Sequence, residues 1–447
     1  MKTTTSFIAA LALSLQAASA YQLHEWGTFT TVSGSDGVLL GGLQREEEQL
    51  PAFVHSHFGF ENGQAPSFAK FGALSKTHGF TGFVPGSKGL GQRPLTGVTV
   101  KMETPVIYFH SDTAFHAKVK VGFEGGTISQ WYPNRSGGET LPEPPASLGP
   151  VKIPVPLEKW RMDFSKPYRG GIEWDVEVLS PAESRSTLTF KPRDTVNWLR
   201  ARVPEANAIR TPAGETENYL FYRGVGNFTP GLLTTVAEDE TLHLKNQTGG
   251  DIPYLLVFQQ HGGRVSWTAR PDGLKSGETI ALPESSLTTA ADGFPAPVYQ
   301  SLKTGLTACG LLESEADAMV QTWWTSYFES EGLRVFWVLP TAATDRILPL
   351  EVTPAPDKIV RVIVGRSEVL RPRRESGWLA ASHKTGDDAN PWKHTVQTDR
   401  FGLAIQERVK ALESVATITS SPEPQELARA GRTLSPAGDD PLRPQNK

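Results

Sequence analysis

Two histidines separated by one residue, His55-Ser-His57, have the most metal-like spacing in the chain. On a strand, residues i and i+2 share a face about 7 Å apart, near enough for two imidazoles to converge on one Zn²⁺ or Cu²⁺. A third ligand would come from His110, His116, Glu103 or Asp112, all close to a strand-like run around Pro105. Three protein ligands leave one position for water, and the ion makes that water a nucleophile near neutral pH. The pattern therefore points to a metal-dependent hydrolase or oxidase, with Glu103 or Asp112 as base or third ligand. H-x-H also arises by chance, and histidine is not enriched, at 10 of 447 residues. A chain that binds without chemistry of its own explains the same residues.

The string His24-Glu25-Trp26-Gly27-Thr28-Phe29-Thr30 is the most distinctive in the sequence. His24 and Glu25 join Glu103 as candidate acid–base groups, and His24 could also be a ligand. Strand alternation sends these two neighbours to opposite faces, so only a bend would bring both to one site. The plainer role for His24 is a hydrogen-bonded histidine that locks a first strand, with Trp26 and Phe29 in the core. Tyr222-Arg-Gly-Val-Gly-Asn227 contains a G-x-G but neither the third glycine nor the following helix of a dinucleotide fingerprint. Its glycines suit a turn or bulge, and Arg223 a carboxylate partner. No G-x-S-x-G, H-E-x-x-H, S-x-x-K or P-loop string is present. The single cysteine, Cys309, excludes a disulfide within the chain and reads as a small buried hydrophobe. Of the 11 tryptophans, Trp131, Trp160, Trp198 and Trp267 are candidate sugar platforms, although most tryptophans in β proteins are core.

The elements that would position these residues are mostly short strands. Val98–His110 reads as one or two strands broken at Pro105, and Ala117–Phe123 alternates cleanly. Further strands are expected at Ile172–Leu179, Thr187–Phe190, Tyr219–Tyr222, Thr241–Leu244, Tyr254–Gln259, Val265–Thr268, Leu333–Leu339, Ile347–Val352 and Ile359–Val364. Gly, Pro and Asp turns punctuate them, so the fold class is mainly β (α+β) with antiparallel sandwich-like domains. One long amphipathic helix is expected near 315–330. Ser314 to Asp317 reads as its capping box, and Ala316, Met319, Val320, Trp323 and Tyr327 recur at helical spacing. Glu315, Asp317 and Gln321 fall on its polar face. A second, shorter helix is expected from about Phe401 to Val415, followed by a polar, proline-rich tail over 419–447 that reads as disordered. Arg371-Pro-Arg-Arg374 reads as a solvated loop. Six prolines in Leu141–Leu157 mark the best boundary between an N-terminal part (21–140) and a second part (158–370), with an extension over 371–418.

Residues 1–20 combine Lys2, a mostly apolar run over Phe7–Leu15 and the small-x-small end Ala18-Ser19-Ala20. This is the pattern of a signal peptide, with the mature chain starting at Tyr21. No other segment reaches the roughly 18–20 apolar residues of a membrane helix. An exported protein of the periplasm or exterior is expected, without an integral membrane segment. The three N-x-S/T sequons at Asn134, Asn227 and Asn246 do not decide the source. A net charge of −4 gives no basic surplus for nucleic acid or an anionic membrane. A polysaccharide or cell-envelope component is the candidate partner, on the lean of the tryptophans.

Together, HEWGTFT just behind the leader, METPVIYF at 102–109, FYRGVGNF at 221–228 and the helix–strand unit at 314–339 resemble a family of uncharacterised exported bacterial proteins. The resemblance spans most of Tyr21–Leu370 and implies export and a shared fold. It brings no activity, cofactor or catalytic residue. The expectation is an exported β-rich binding or structural protein, with a Zn or Cu hydrolase or oxidase built on His55 and His57 as the alternative.

Overall fold

The structure, a computed structural model, describes residues 20–47, 50–51, 53–57, 88–90, 94–141, 161–187, 197–289, 295–383 and 391–420. The strands that build its layers are β1 (Tyr21–Ser33), β2 (Val100–Met102), β3 (Val106–Ser111), β4 (Phe115–Glu124), β5 (Gly126–Tyr132), β6 (Arg169–Val178) and β7 (Leu220–Gly226). They continue with β8 (Leu232–Val236), β9 (Leu242–Asn246), β10 (Leu255–His261), β11 (Arg264–Arg270), β12 (Thr279–Leu282), β13 (Gly332–Val338), β14 (Leu350–Thr353) and β15 (Lys358–Val369). The helices are α1 (Pro181–Thr187), α2 (Ala296–Ala308), α3 (Glu313–Phe328), α4 (Thr341–Ile347), α5 (Pro372–Ser382), α6 (Pro391–Thr398) and α7 (Gly402–Ser420). The mainly β, α+β class follows. Among the described residues no helix is long and apolar enough to cross a membrane.

An 11-stranded sheet runs in the order Thr288–Thr289, β11, β10, β13, β15, β1, β2, β7, β5, His55–Ser56, with β3 pairing β1 and β7. At its centre β1 pairs in parallel with β15 over Gln22↔Lys358 to Ser33↔Val369, and its other neighbours are antiparallel. Both faces of β1 are covered, so its residues are buried almost without a break. Leu23 and Phe29 face a second sheet in which β6 and β4 pair along their length and β14 adds to β4. Val121, Ile172 and Trp174 fill the space between the two sheets, which gives the sandwich. Trp26 on the opposite side packs against α2 and α3, whose Leu302, Met319 and Trp323 join the same cluster. A third cluster gathers Val32, Val98 and Val225 beneath Phe401 and Ile405 near α7.

Pro105 does break Val98–His110 into two strands, β2 and β3. Several local expectations change. The long helix begins at Glu313, and its cap is made by Glu315, whose Oε2 accepts the Leu312 N–H at 2.9 Å. Glu315 lies on the buried side of that helix, fully covered. Thr187 closes a helix instead of opening a strand, while 188–190 lie outside the described residues. Ile347 ends α4, and the strand after it starts at Leu350. Arg371 caps α5 and bonds Glu240 at 2.9 Å, so the arginine cluster opens a helix. The C-terminal helix runs to Ser420, and the tail from 421 lies outside the described residues, as do 142–160. Strands from both sides of that proline-rich stretch share the 11-stranded sheet.

Candidate functional site

The site begins where β1 begins. His24 on β1 and Tyr108 on β3 are directly paired, and His110 lies two residues further along β3 on the same face. Two-residue steps on a strand cover about 6.6 Å and four-residue steps on a helix about 6 Å. α3 lies along β1, and from Trp323 to Tyr327 it keeps step with Trp26 to Thr28. Its Glu315 meets His24, Trp323 stands edge-on to Trp26 at 5.8 Å between ring centres, and the Tyr327 hydroxyl bonds Thr28 Oγ1 at 2.8 Å.

His24 Nδ1 lies 3.1 and 2.9 Å from the two oxygens of Glu315, and His110 Nε2 lies 3.0 Å from Oε1. The two imidazoles stand edge-on, with ring centres 4.7 Å apart. One ligand atom from each of His24, His110 and Glu315 falls within 4.8 Å of the others, and among the described residues this is the one such histidine–carboxylate group. Burial alone would raise the Glu315 carboxyl. Hydrogen bonds from His110 and His24, and the charge of His24, outweigh it and hold the carboxyl down at about 2. His24 Nε2 is buried with no hydrogen-bond partner.

The cluster is deep on one side and open on the other. Glu315 is fully covered and the His24 side chain is 3% exposed, whereas that of His110 is 19% exposed. His110 lines a cleft of about 940 Å³ between the start of β1 on one side and α1 and residues 202–207 on the other. Ser111, Asp112, Ser184, Arg185, Glu205, Asp357 and Lys358 give the walls hydroxyls and charges of both signs, and Pro181, Val203 and Pro204 add apolar surface. With Arg202 also in the wall, three acids face three bases, so the cleft selects neither polyanions nor polycations by field alone.

The other residues singled out in the sequence are placed elsewhere. His55 Nε2 bonds Glu215 at 2.8 Å, and His57 Nε2 donates to the Ile128 carbonyl at 2.8 Å. Both sit at the far edge of the large sheet, beside β5, and the structure does not gather them with His110. His116 is exposed on β4, opposite Glu177. Asp112 reaches the cleft but not the cluster. Glu25 points away from His24, as alternation requires, accepting from Tyr222 Oη at 2.6 Å and Arg361 Nε at 2.6 Å. Glu103 lies within a buried charge network, 2.8 Å from Lys88 Nζ, 3.2 Å from Arg223 and 3.4 Å from Lys101. Burial raises its carboxyl, but these cations win and bring it to about 2. That network extends through Glu47 to Arg366 and Arg400, and from them to Glu368 and Arg334. Arg223 also bonds Glu46 at 2.6 Å, and a bulge falls between Arg223 and Gly224, so the G-x-G segment is built for packing. Trp131 is buried under Arg135, Trp267 is half-buried, and Trp160 lies outside the described residues. Cys309 is half-buried, and burial pushes its thiol up to about 11.

No protein-family model matches the chain, and no curated protein is significantly similar to it. What the site can do therefore rests on its own geometry. Glu315 was the residue missed. It stands four residues before Met319, eight before Trp323 and twelve before Tyr327, one row of the helix. A carboxylate at the head of an apolar row is buried with the row, and a buried carboxylate needs donors.

Proposed function

We propose that this is an exported binding protein of the cell envelope or exterior, which takes a polar ligand, envelope polysaccharide first, into the cleft at the start of β1. The cleft carries the reading. It is large enough for a small oligomer, and concave sites of 300–1,000 Å³ are the usual scale of ligand pockets. Its hydroxyls and mixed charges suit a hydroxyl- and amide-rich chain, and its proline and valine surfaces suit the C–H faces of sugar rings. Export is supported by the leader pattern of residues 1–20.

An array of cell-wall and extracellular oligosaccharides tests it. Binding is expected, and Arg185→Ala and Lys358→Ala, both exposed at the cleft wall, should each weaken it several-fold, about 1 kcal/mol. Equal binding by both variants, or none across the array, overturns the reading.

A further inference from the structure

We infer that His24, His110 and Glu315 form a site for a divalent transition metal, zinc by preference, at the floor of the cleft. This goes beyond ligand binding and does not depend on it. Four groups held 2.0–2.1 Å from a tetrahedral ion stand about 3.3 Å from one another. The two histidine–carboxylate approaches, 2.9 and 3.0 Å, are already close to that spacing. The two imidazole nitrogens lie within 4.8 Å, so a small rotation of the partly buried His110 ring closes the set.

The donor set is also the right kind. Two imidazoles and a carboxylate suit zinc and its neighbours, whereas calcium and magnesium prefer oxygen throughout. Glu315 is held in place by the Leu312 N–H, the sort of outer hydrogen bond that orients a ligating carboxylate. A purely structural role accounts for Glu315 as helix cap and for one histidine beside it. It does not account for a second imidazole on the same carboxylate that also lines the cleft. With three ligands from the protein, one position is left for water, and of the three ligands His110 lines the cleft. A metal-bound water there is the hydrolytic group that the sequence had suggested for His55 and His57.

The test uses the protein expressed from its full coding sequence, purified without a polyhistidine tag and stripped with EDTA. Titration with Zn²⁺ should show about one tight equivalent and a raised melting temperature, because the ion binds only the native state. Co²⁺ should give the visible absorption of a four-coordinate ion. His110→Ala should weaken zinc by 100-fold or more, while the His55→Ala/His57→Ala double variant binds as the unaltered protein does. No cobalt absorption from the unaltered protein overturns the inference, and so does a folded His110→Ala protein that binds zinc undiminished. Should His110→Ala fail to fold, cobalt absorption that is lost in the His55→Ala/His57→Ala protein overturns it, and absorption that is kept supports it.

Discussion

Glu315 shows how much one buried carboxylate can hold together: a helix start, two imidazoles and the floor of a cleft meet on its two oxygens. Its pH dependence follows in sign. The folded value of about 2 lies below the ordinary 4.5, so its stabilisation is complete above pH 4.5 and is lost as the pH falls toward 2. The amount is on the order of 3 kcal/mol. Urea unfolding between pH 5 and 3 should therefore show falling stability, with a shallower fall in Glu315→Gln. Glu103 and Glu368, also held at about 2, add to the same slope, so the variant flattens it only in part. Cys309 gives a separate check at this scale. With its thiol raised to about 11, roughly one in a thousand is thiolate at pH 8. Labelling by a thiol reagent should be more than tenfold slower in the native protein than in urea. The sequence named His24 and His110 but assigned them to different roles, because the pairing that brings β1 against β3 is long-range. Nothing in the spacing of His55 and His57 reveals that each spends a ring nitrogen on a local acceptor.

At the scale of elements, α3 and the strands beneath it hold two polar groupings on one face: the histidine cluster at its start and the arginine–glutamate network at its end. Arg334 bonds the Tyr327 and Glu331 carbonyls there, and Arg366 stacks 4.2 Å over the Tyr327 ring. Three arginines converge on Glu368, so its loss leaves buried positive charge unpaired. Glu368→Gln should cost about 3–5 kcal/mol in a urea titration. Gly224 tests the bulge, since an added Cβ would sit 2.0 Å from the Thr127 carbonyl oxygen. Gly224→Ala should destabilise by about 2 kcal/mol or more, read as a lower melting temperature. These elements were largely legible. Alternation gave β4 and β6, Pro105 separated β2 from β3, and the aromatic row gave α3. Less legible were the seven-residue α4, and two helices whose start signal was overlooked: α2, with Pro297 in its first turn, and the arginine run at 371–374, with Pro372 at the first helical position.

For the whole molecule, the consequential feature is the parallel pairing of β1 with β15. A split between residues 21–140 and 158–370 would leave β1 in one piece and its longest partner in the other. Pieces covering 21–141 and 161–420, expressed separately, should be insoluble or unfolded by circular dichroism, and should form a soluble complex when co-expressed. Soluble, folded separate pieces would show that the shared sheet is dispensable. The proline-rich stretch suggested a boundary because composition reports local stiffness, whereas the sheet is closed by contacts that no local window contains. The same pairing orders events during synthesis. Glu25 must wait for Arg361, 336 residues later, before its charge is compensated. β1 thus leaves the ribosome long before the strand that satisfies it. Until β15 is made, the molecule carries an unfinished central seam, open to any chaperone that needs a chain not yet committed to its shape.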